Sequence, residues 1–293
     1  MTPKGRKQVA AFSLVLIGAS CSASAAPFLA HDVSGEERSF AGAEIEKVVV
    51  FGRDSRRTVE AFAAEEKLSA AHLRQKFAAS GLIECGAAHG AGQLTLTDDL
   101  VTTAAHVFFD EQGVPRAKTC TFVNEVDGKE IRTPIDSASI VAGSKDPYAV
   151  AAVHDWAVAR LTRPVAGATP YGLAGAQSPN TPTEFVARGH MDWGDGRKLS
   201  MEKCGFHDQL STGDEGTREF SFDCETGDGA SGGALIFGDK GDPMVGAILV
   251  GWRSNKPFHS APFSPTHYNF AVTIEGAFKK AVIASAAKAY VAR

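Results

Sequence analysis

The chain has 293 residues, 44% hydrophobic and 22% charged, a balance that excludes a mostly disordered protein and a coiled coil. Thirty Lys and Arg against 34 Asp and Glu leave a formal charge of −4, too even for nucleic acid or an anionic membrane to be the main partner. Thirty glycines and thirteen prolines predict many turns, and so a strand-rich fold rather than a helical bundle.

Lys4, Arg6 and Lys7 precede an apolar stretch from Val9 to Ala19, and Ala23, Ser24 and Ala25 fit a small-residue cleavage site. This is the layout of a bacterial-type secretory signal over residues 1–25, with a run too short to span a bilayer. The expectation is a secreted or periplasmic protein without stable membrane insertion. Residues 26–49 are polar and lack a period; they read as a propeptide or as a mobile arm. Removal of the signal takes Cys21 with it and leaves Cys85, Cys120, Cys204 and Cys224. An even count in an exported chain predicts two disulfides, with three pairings open.

Val59, Phe62, Ala70, Leu73 and Phe77 fall on one face of a helix predicted over residues 59–79, with Leu68 on the opposite face. From Gly81 the texture changes to short apolar runs cut by turn residues: 81–86, 93–97, 100–104, 119–124, 131–141 and 156–161. A Pro- and Gly-rich connector, 163–183, divides the chain into a first half over 50–175 and a second over 176–293. Strands are predicted again at 184–189, 199–206, 218–224, 234–237, 244–251 and 268–272, and an Ala-rich amphipathic helix closes the chain from Thr273. The fold class is all-β with a helical segment at each end.

Three segments carry chemistry: Leu100 to His106, His154 to Leu161, and Cys224 to Ile236. A serine hydroxyl is a weak nucleophile until a base takes its proton. Histidine can be that base where a buried carboxylate fixes its tautomer. Glycines beside Ser231 allow a sharp turn that aims main-chain N–H groups at a developing oxyanion. Taken singly, His106 could be a satisfied polar residue, Asp155 a turn carboxylate and Ser231 a hairpin residue; their order and wording together are specific.

Thr103-Ala104-Ala105-His106, the Asp155–Leu161 run and Gly229-Ala230-Ser231-Gly232-Gly233 resemble the three motifs of chymotrypsin/trypsin-like serine proteases. The resemblance implies two six-stranded Greek-key barrels with the active site in their cleft. It implies His106 as general base, Asp155 as its orienter and Ser231 as nucleophile, with the Gly229 and Ser231 N–H groups as the oxyanion hole. It also implies disulfides Cys85–Cys120 and Cys204–Cys224. Ala230 stands where trypsin-type enzymes carry an aspartate that captures a new N-terminal ammonium, so the chain is more similar to the bacterial glutamyl-endopeptidase-like branch. Val50 to Arg56 resembles the mature start of that branch.

Glu225, six residues before Ser231, matches the acidic floor of the trypsin-type specificity pocket, although a solvated loop carboxylate is an equal reading. Thr226 and the 245–251 strand, including Val250 and Gly251, would line the pocket wall. Ile248 stands in that strand where glutamyl endopeptidases tend to have a histidine, so glutamate specificity does not follow. No metal-ligand spacing or phosphate loop is present, and no cofactor is implied. The expected protein is a monomer acting on peptides or proteins. Two alternatives remain: an inactive binding or adhesion module on the same fold, and an esterase or lipase using Ser231. The latter is disfavoured because its acid and histidine follow the serine.

Overall fold

The computed structural model describes residues 30–32, 48–193, 196–213, 215–238, 241–256 and 259–291. The signal expected over residues 1–25 lies outside them. No helix among the described residues is long and apolar enough to cross a membrane.

Alternating short strands and turns close into two barrels of the same topology. In the first, Ser80–Cys85 (β1), Ala88–Leu94 (β2), Leu100–Thr103 (β3), Thr121–Val126 (β4), Lys129–Ala142 (β5) and Ala157–Leu161 (β6) pair antiparallel. Their order is β1-β2-β3-β6-β5-β4, with β4 returning to β1. The second uses Pro182–Ala187 (β7), Ser200–Thr212 (β8), Arg218–Phe222 (β9), Ala234–Phe237 (β10), Met244–Ser254 (β11) and His267–Thr273 (β12). Its order is β7-β8-β9-β12-β11-β10, and β10 returns to β7. Closure removes the unpaired edges that an open sheet would expose. Cys85–Cys120 ties the start of β4 to the end of β1, and Cys204–Cys224 ties β8 to the turn after β9.

The barrel interiors differ in what fills them. Aliphatic Ile83, Leu94, Val101 and Val158 pack with Phe122 in the first. The second is built on phenylalanines: Phe185, Phe206, Phe220, Phe222 and Phe237 are all buried. Phe206 and Phe220 stack with centroids 4.9 Å apart, and Phe237 meets Phe206 edge-on at 5.1 Å.

β2 starts at Ala88, earlier than the apolar run at 93–97, because its glycines serve close packing rather than a turn. A Cβ on Gly92 would lie 2.8 Å from Ile83 Cδ1, and one on Gly90 would lie 3.0 Å from the Ser231 carbonyl. The helix predicted over 59–79 forms as two, Val59–Glu66 (α1) and Ala70–Lys76 (α2). Lys67 turns left-handed at φ 56° and Ser69 caps the restart, accepting from the His72 N–H at 3.3 Å. Leu68, the residue off the helical face, is half exposed at this break.

Two elements bind the halves together. The C-terminal helix Gly276–Val291 (α3) leaves the second barrel and lies on the first, where Phe278 stacks on Trp156 at 4.9 Å. The segment before α1 runs the other way. Val48–Val49 pairs with Thr226–Gly227, and Arg57–Thr58 pairs with Ser200–Met201 of β8.

Because Phe206 anchors two ring contacts in a closed core, Phe206→Ala should lower the unfolding free energy by about 3–5 kcal/mol. Urea denaturation with an unchanged m-value is the measurement.

Candidate active site

β3 and β6 are hydrogen-bonded neighbours with Thr103 opposite Ala157, so the chain leaving β3 and the chain entering β6 emerge side by side. Each makes a single 3-10 turn there, Ala105–Val107 and Ala152–His154. The first presents His106 and the second delivers Asp155, which is fully buried. His106 Nδ1 lies 2.7 Å from Asp155 Oδ2, and the His106 backbone N–H donates to Asp155 Oδ1 at 2.9 Å. The carboxylate thus fixes both the backbone and the ring, and makes Nδ1–H the preferred tautomer. Nε2 is left buried and without a hydrogen-bond partner among the described residues. Arg116 Nε donates to the His106 carbonyl at 2.8 Å, and Tyr148 flanks the imidazole at 6.1 Å.

Ser231 sits on the tight loop between Thr226–Gly227 and β10. Gly229 and Gly232 on either side adopt φ of +86° and +88°, a region that favours glycine. The Ala230 N–H donates to the Gly227 carbonyl at 3.1 Å, and the Gly232 N–H to the Leu249 carbonyl at 2.7 Å. The N–H groups of Gly229 and Ser231 have no acceptor among the described residues. Across the cleft, the Ala91 N–H donates to the Ser231 carbonyl at 2.7 Å. A Cβ on Gly232 would lie 3.1 Å from the Ala104 nitrogen, two residues before His106. The structure therefore brings the Ser231 loop against the turn that carries His106; the Ser231 hydroxyl and Nε2 are not hydrogen-bonded to each other.

Of the residues expected around the pocket, Thr226 Oγ1 donates to Asn269 Oδ1 at 3.0 Å, and Val250 and Gly251 are buried in β11. Glu225 is buried too, and its backbone N–H donates to Glu202 Oε2 at 2.9 Å. Ser55 joins the two carboxyls, its Oγ 2.5 Å from Glu202 Oε1 and also bonded to Glu225 Oε2. Burial first, and then the neighbouring Glu225, push the Glu202 carboxyl far above the usual carboxylate range. One hydroxyl proton cannot serve both carboxyls, so a protonated Glu202 completes the chain of hydrogen bonds.

Sequence reasoning passed over Glu202, and also Arg56, His190 and Asp192, which cluster behind the Gly227–Ser231 loop. The Arg56 guanidinium reaches Asp192 Oδ1 at 3.1 Å and His190 Nδ1 at 3.0 Å. A charge-rich run, Arg53 to Arg57, is the available signal. Nothing in the sequence says that the middle of that run is buried.

Two closed six-stranded antiparallel barrels, with a buried His–Asp pair and a glycine-flanked serine at their junction, make this the trypsin-like fold. The chain belongs to the trypsin-like peptidase domain family, whose pattern matches residues 90–246, more than half of its length. Among solved structures it is similar to a Glu endopeptidase in complex with MPD, at 14% identity and a TM-score of 0.60. That match covers 82% of this chain and 100% of the other. A thermostable serine protease from an extremophilic microorganism matches at 16% identity and TM-score 0.46, covering 68% and 91% of the two chains. The protease Anisep from Arthrobacter nicotinovorans matches at 12% and 0.47, covering 72% and 96%. No curated protein matches the chain.

The native state holds the Glu202 proton at pH values where the unfolded chain has lost it, so this group makes stability fall as pH rises from about 4.5. Glu202→Gln, which mimics the protonated form, should gain stability relative to the parent as pH rises. The gap should widen by at most about 1.4 kcal/mol per pH unit, read from urea unfolding at pH 5, 7 and 9.

Proposed function

We propose that the protein is an exported serine endopeptidase that hydrolyses peptide bonds through an acyl-enzyme, using His106, Asp155 and Ser231. The observation that carries this reading is the 2.7 Å contact between His106 Nδ1 and the buried Asp155 carboxylate, next to a serine loop with two N–H groups that have no acceptor among the described residues.

In this reading a substrate carbonyl enters beside Ser231. Nε2 of His106 takes the hydroxyl proton as Oγ attacks, and Asp155 stabilises the imidazolium that forms. The N–H groups of Gly229 and Ser231 bind the oxyanion, and Nε2 then gives its proton to the leaving amine. Water repeats the sequence on the acyl ester. The buried Nε2, without a partner among the described residues, supports this role, because an orphaned ring nitrogen gains the hydrogen bond it lacks from the serine hydroxyl or the leaving group. Glu225 enters the reading as a buried carboxylate engaged by Ser55 and Glu202, rather than as a free acidic pocket floor. Export is supported by the signal layout of residues 1–25 and by two disulfides, which persist in oxidising compartments.

A serine-directed fluorophosphonate should label the exported protein at Ser231, and Ser231→Ala should abolish labelling and peptide cleavage while melting like the parent. Folded protein that cleaves no peptide and stays unmodified at Ser231 would overturn the reading. Asp155→Asn should leave the fold intact and lower kcat by about 10⁴-fold, because the ring then carries its proton on the wrong nitrogen. Steady-state hydrolysis of a peptide anilide measures it.

A further inference from the structure

Position 230 holds Ala, so the residue before Ser231 offers no carboxylate to anchor the loop from behind. The structure supplies a different anchor. The Arg56 side chain is almost wholly buried, and each of its five N–H donors has a partner. Nε donates to Asp54 Oδ1 at 3.0 Å and Nη2 to Asp54 Oδ2 at 2.8 Å. Nη2 also donates to Asp192 Oδ2 at 2.5 Å, while Nη1 donates to Asp192 Oδ1 at 3.1 Å and to His190 Nδ1 at 3.0 Å. Trp193 lies beneath the guanidinium at 5.3 Å. A fork of this kind is a property of arginine that lysine does not share.

The same histidine nitrogen accepts from the Gly227 N–H at 3.1 Å. An amide can only donate, so Nδ1 carries no proton. Burial, and then the Arg56 charge, lower the His190 pKa to about 3, which keeps the ring neutral. The next residue holds the loop as well, through the Met191 N–H donating to the Asp228 carbonyl at 3.1 Å. There is no space between cluster and loop: a Cβ on Gly227 would lie 2.8 Å from Arg56 Nη1 and 3.0 Å from His190 Nδ1. Thus Gly227 and Asp228, which lead into Gly229 and Ser231, are fixed by residues 190–191, and residues 190–192 are fixed by Arg56.

We propose that Arg56 is a positioning residue for the oxyanion loop, acting through His190 and Asp192 to hold the Gly229 and Ser231 N–H groups in place. The inference rests on the peptidase reading for its effect on rate, but not for its effect on the loop. Loss of Arg56 would leave Asp192 buried without its cation, and residues 190–192 would have to rearrange.

The test compares Arg56→Gln, Arg56→Lys and His190→Phe in the full exported protein. In Arg56→Gln, amide hydrogen exchange at residues 227–231 should accelerate about tenfold or more while the barrel strands keep their protection. On a peptide anilide, kcat should fall by up to about 10²-fold with KM within a few-fold, and Arg56→Lys should be intermediate. Affinity for a peptide aldehyde, which mimics the oxyanion, should fall with kcat, and affinity for the product peptide should not. Unchanged loop exchange, unchanged kcat, or equal loss of aldehyde and product affinity would each overturn the proposal. If Arg56→Gln does not fold, His190→Phe decides, since it breaks the same link while keeping Arg56. Failure of the parent to react at Ser231 would count against the peptidase reading instead, and the exchange result would still decide the role of Arg56.

Discussion

The seam between the barrels is the constraint on which the site depends. Its centre is a backbone hydrogen bond, from the Ala91 N–H in the first barrel to the Ser231 carbonyl in the second. Around it lie Gly90 and Gly232, positions where a single added carbon would collide with side chain or main chain of the other half. Small residues at the seam let the backbones approach closely enough for a loop of one half to rest on the turn that carries the histidine of the other. A core made only of large side chains would hold each barrel together and keep the two loops apart. The stacking of Phe278 on Trp156 serves the same purpose from outside, since α3 starts in one half and is buried against the other.

Three buried polar groups near this seam are stabilised by different means, and the differences follow from what surrounds them. Asp155 is held by the His106 N–H and ring, so a carboxylate can sit there without solvent. Arg56 keeps its charge because two carboxylates and an imidazole nitrogen use all of its donors. Glu202 has no cationic partner among the described residues and, pushed up by burial and by Glu225, keeps its proton. Asp54 shows the reverse case, since the Arg56 bonds outweigh its burial and hold its carboxyl below the usual range. Arg56, through His190, and Glu202, through the Glu225 N–H, hold the chain entering the serine loop with fixed hydrogen bonds, support that the proposed mechanism asks of a preorganised N–H pair.

Much of the fold was legible because closed barrels of short strands impose a short repeat on the chain. The runs at 100–104, 131–141, 234–237 and 244–251 coincide closely with β3, β5, β10 and β11. The sequence places β2 too late because Ala88 to Gly92 has the composition of a turn, while its glycines answer to packed neighbours outside that stretch, Val107 and Ser231 for Gly90 and Ile83 and Val101 for Gly92. Periodicity predicts one helix over 59–79 because it registers faces and not the left-handed backbone of Lys67. The cluster around Arg56 was invisible for a related reason. A charged residue is taken as solvated until the partners that bury it are known, and His190 and Asp192 lie over 130 residues downstream.

What could be read from the chain alone is an inventory: a serine among glycines, a histidine after one apolar strand, an aspartate before another, and an even set of four cysteines beyond residue 25. These are local features, set by what a turn or a strand requires of neighbouring residues. Folding in three dimensions is what brings Asp155 against His106 in a buried site, packs Glu225 against Glu202 and sets Arg56 beneath the loop. Those outcomes depend on burial and on hydrogen-bond geometry, which are properties of the space between distant segments and are written in no single stretch of chain.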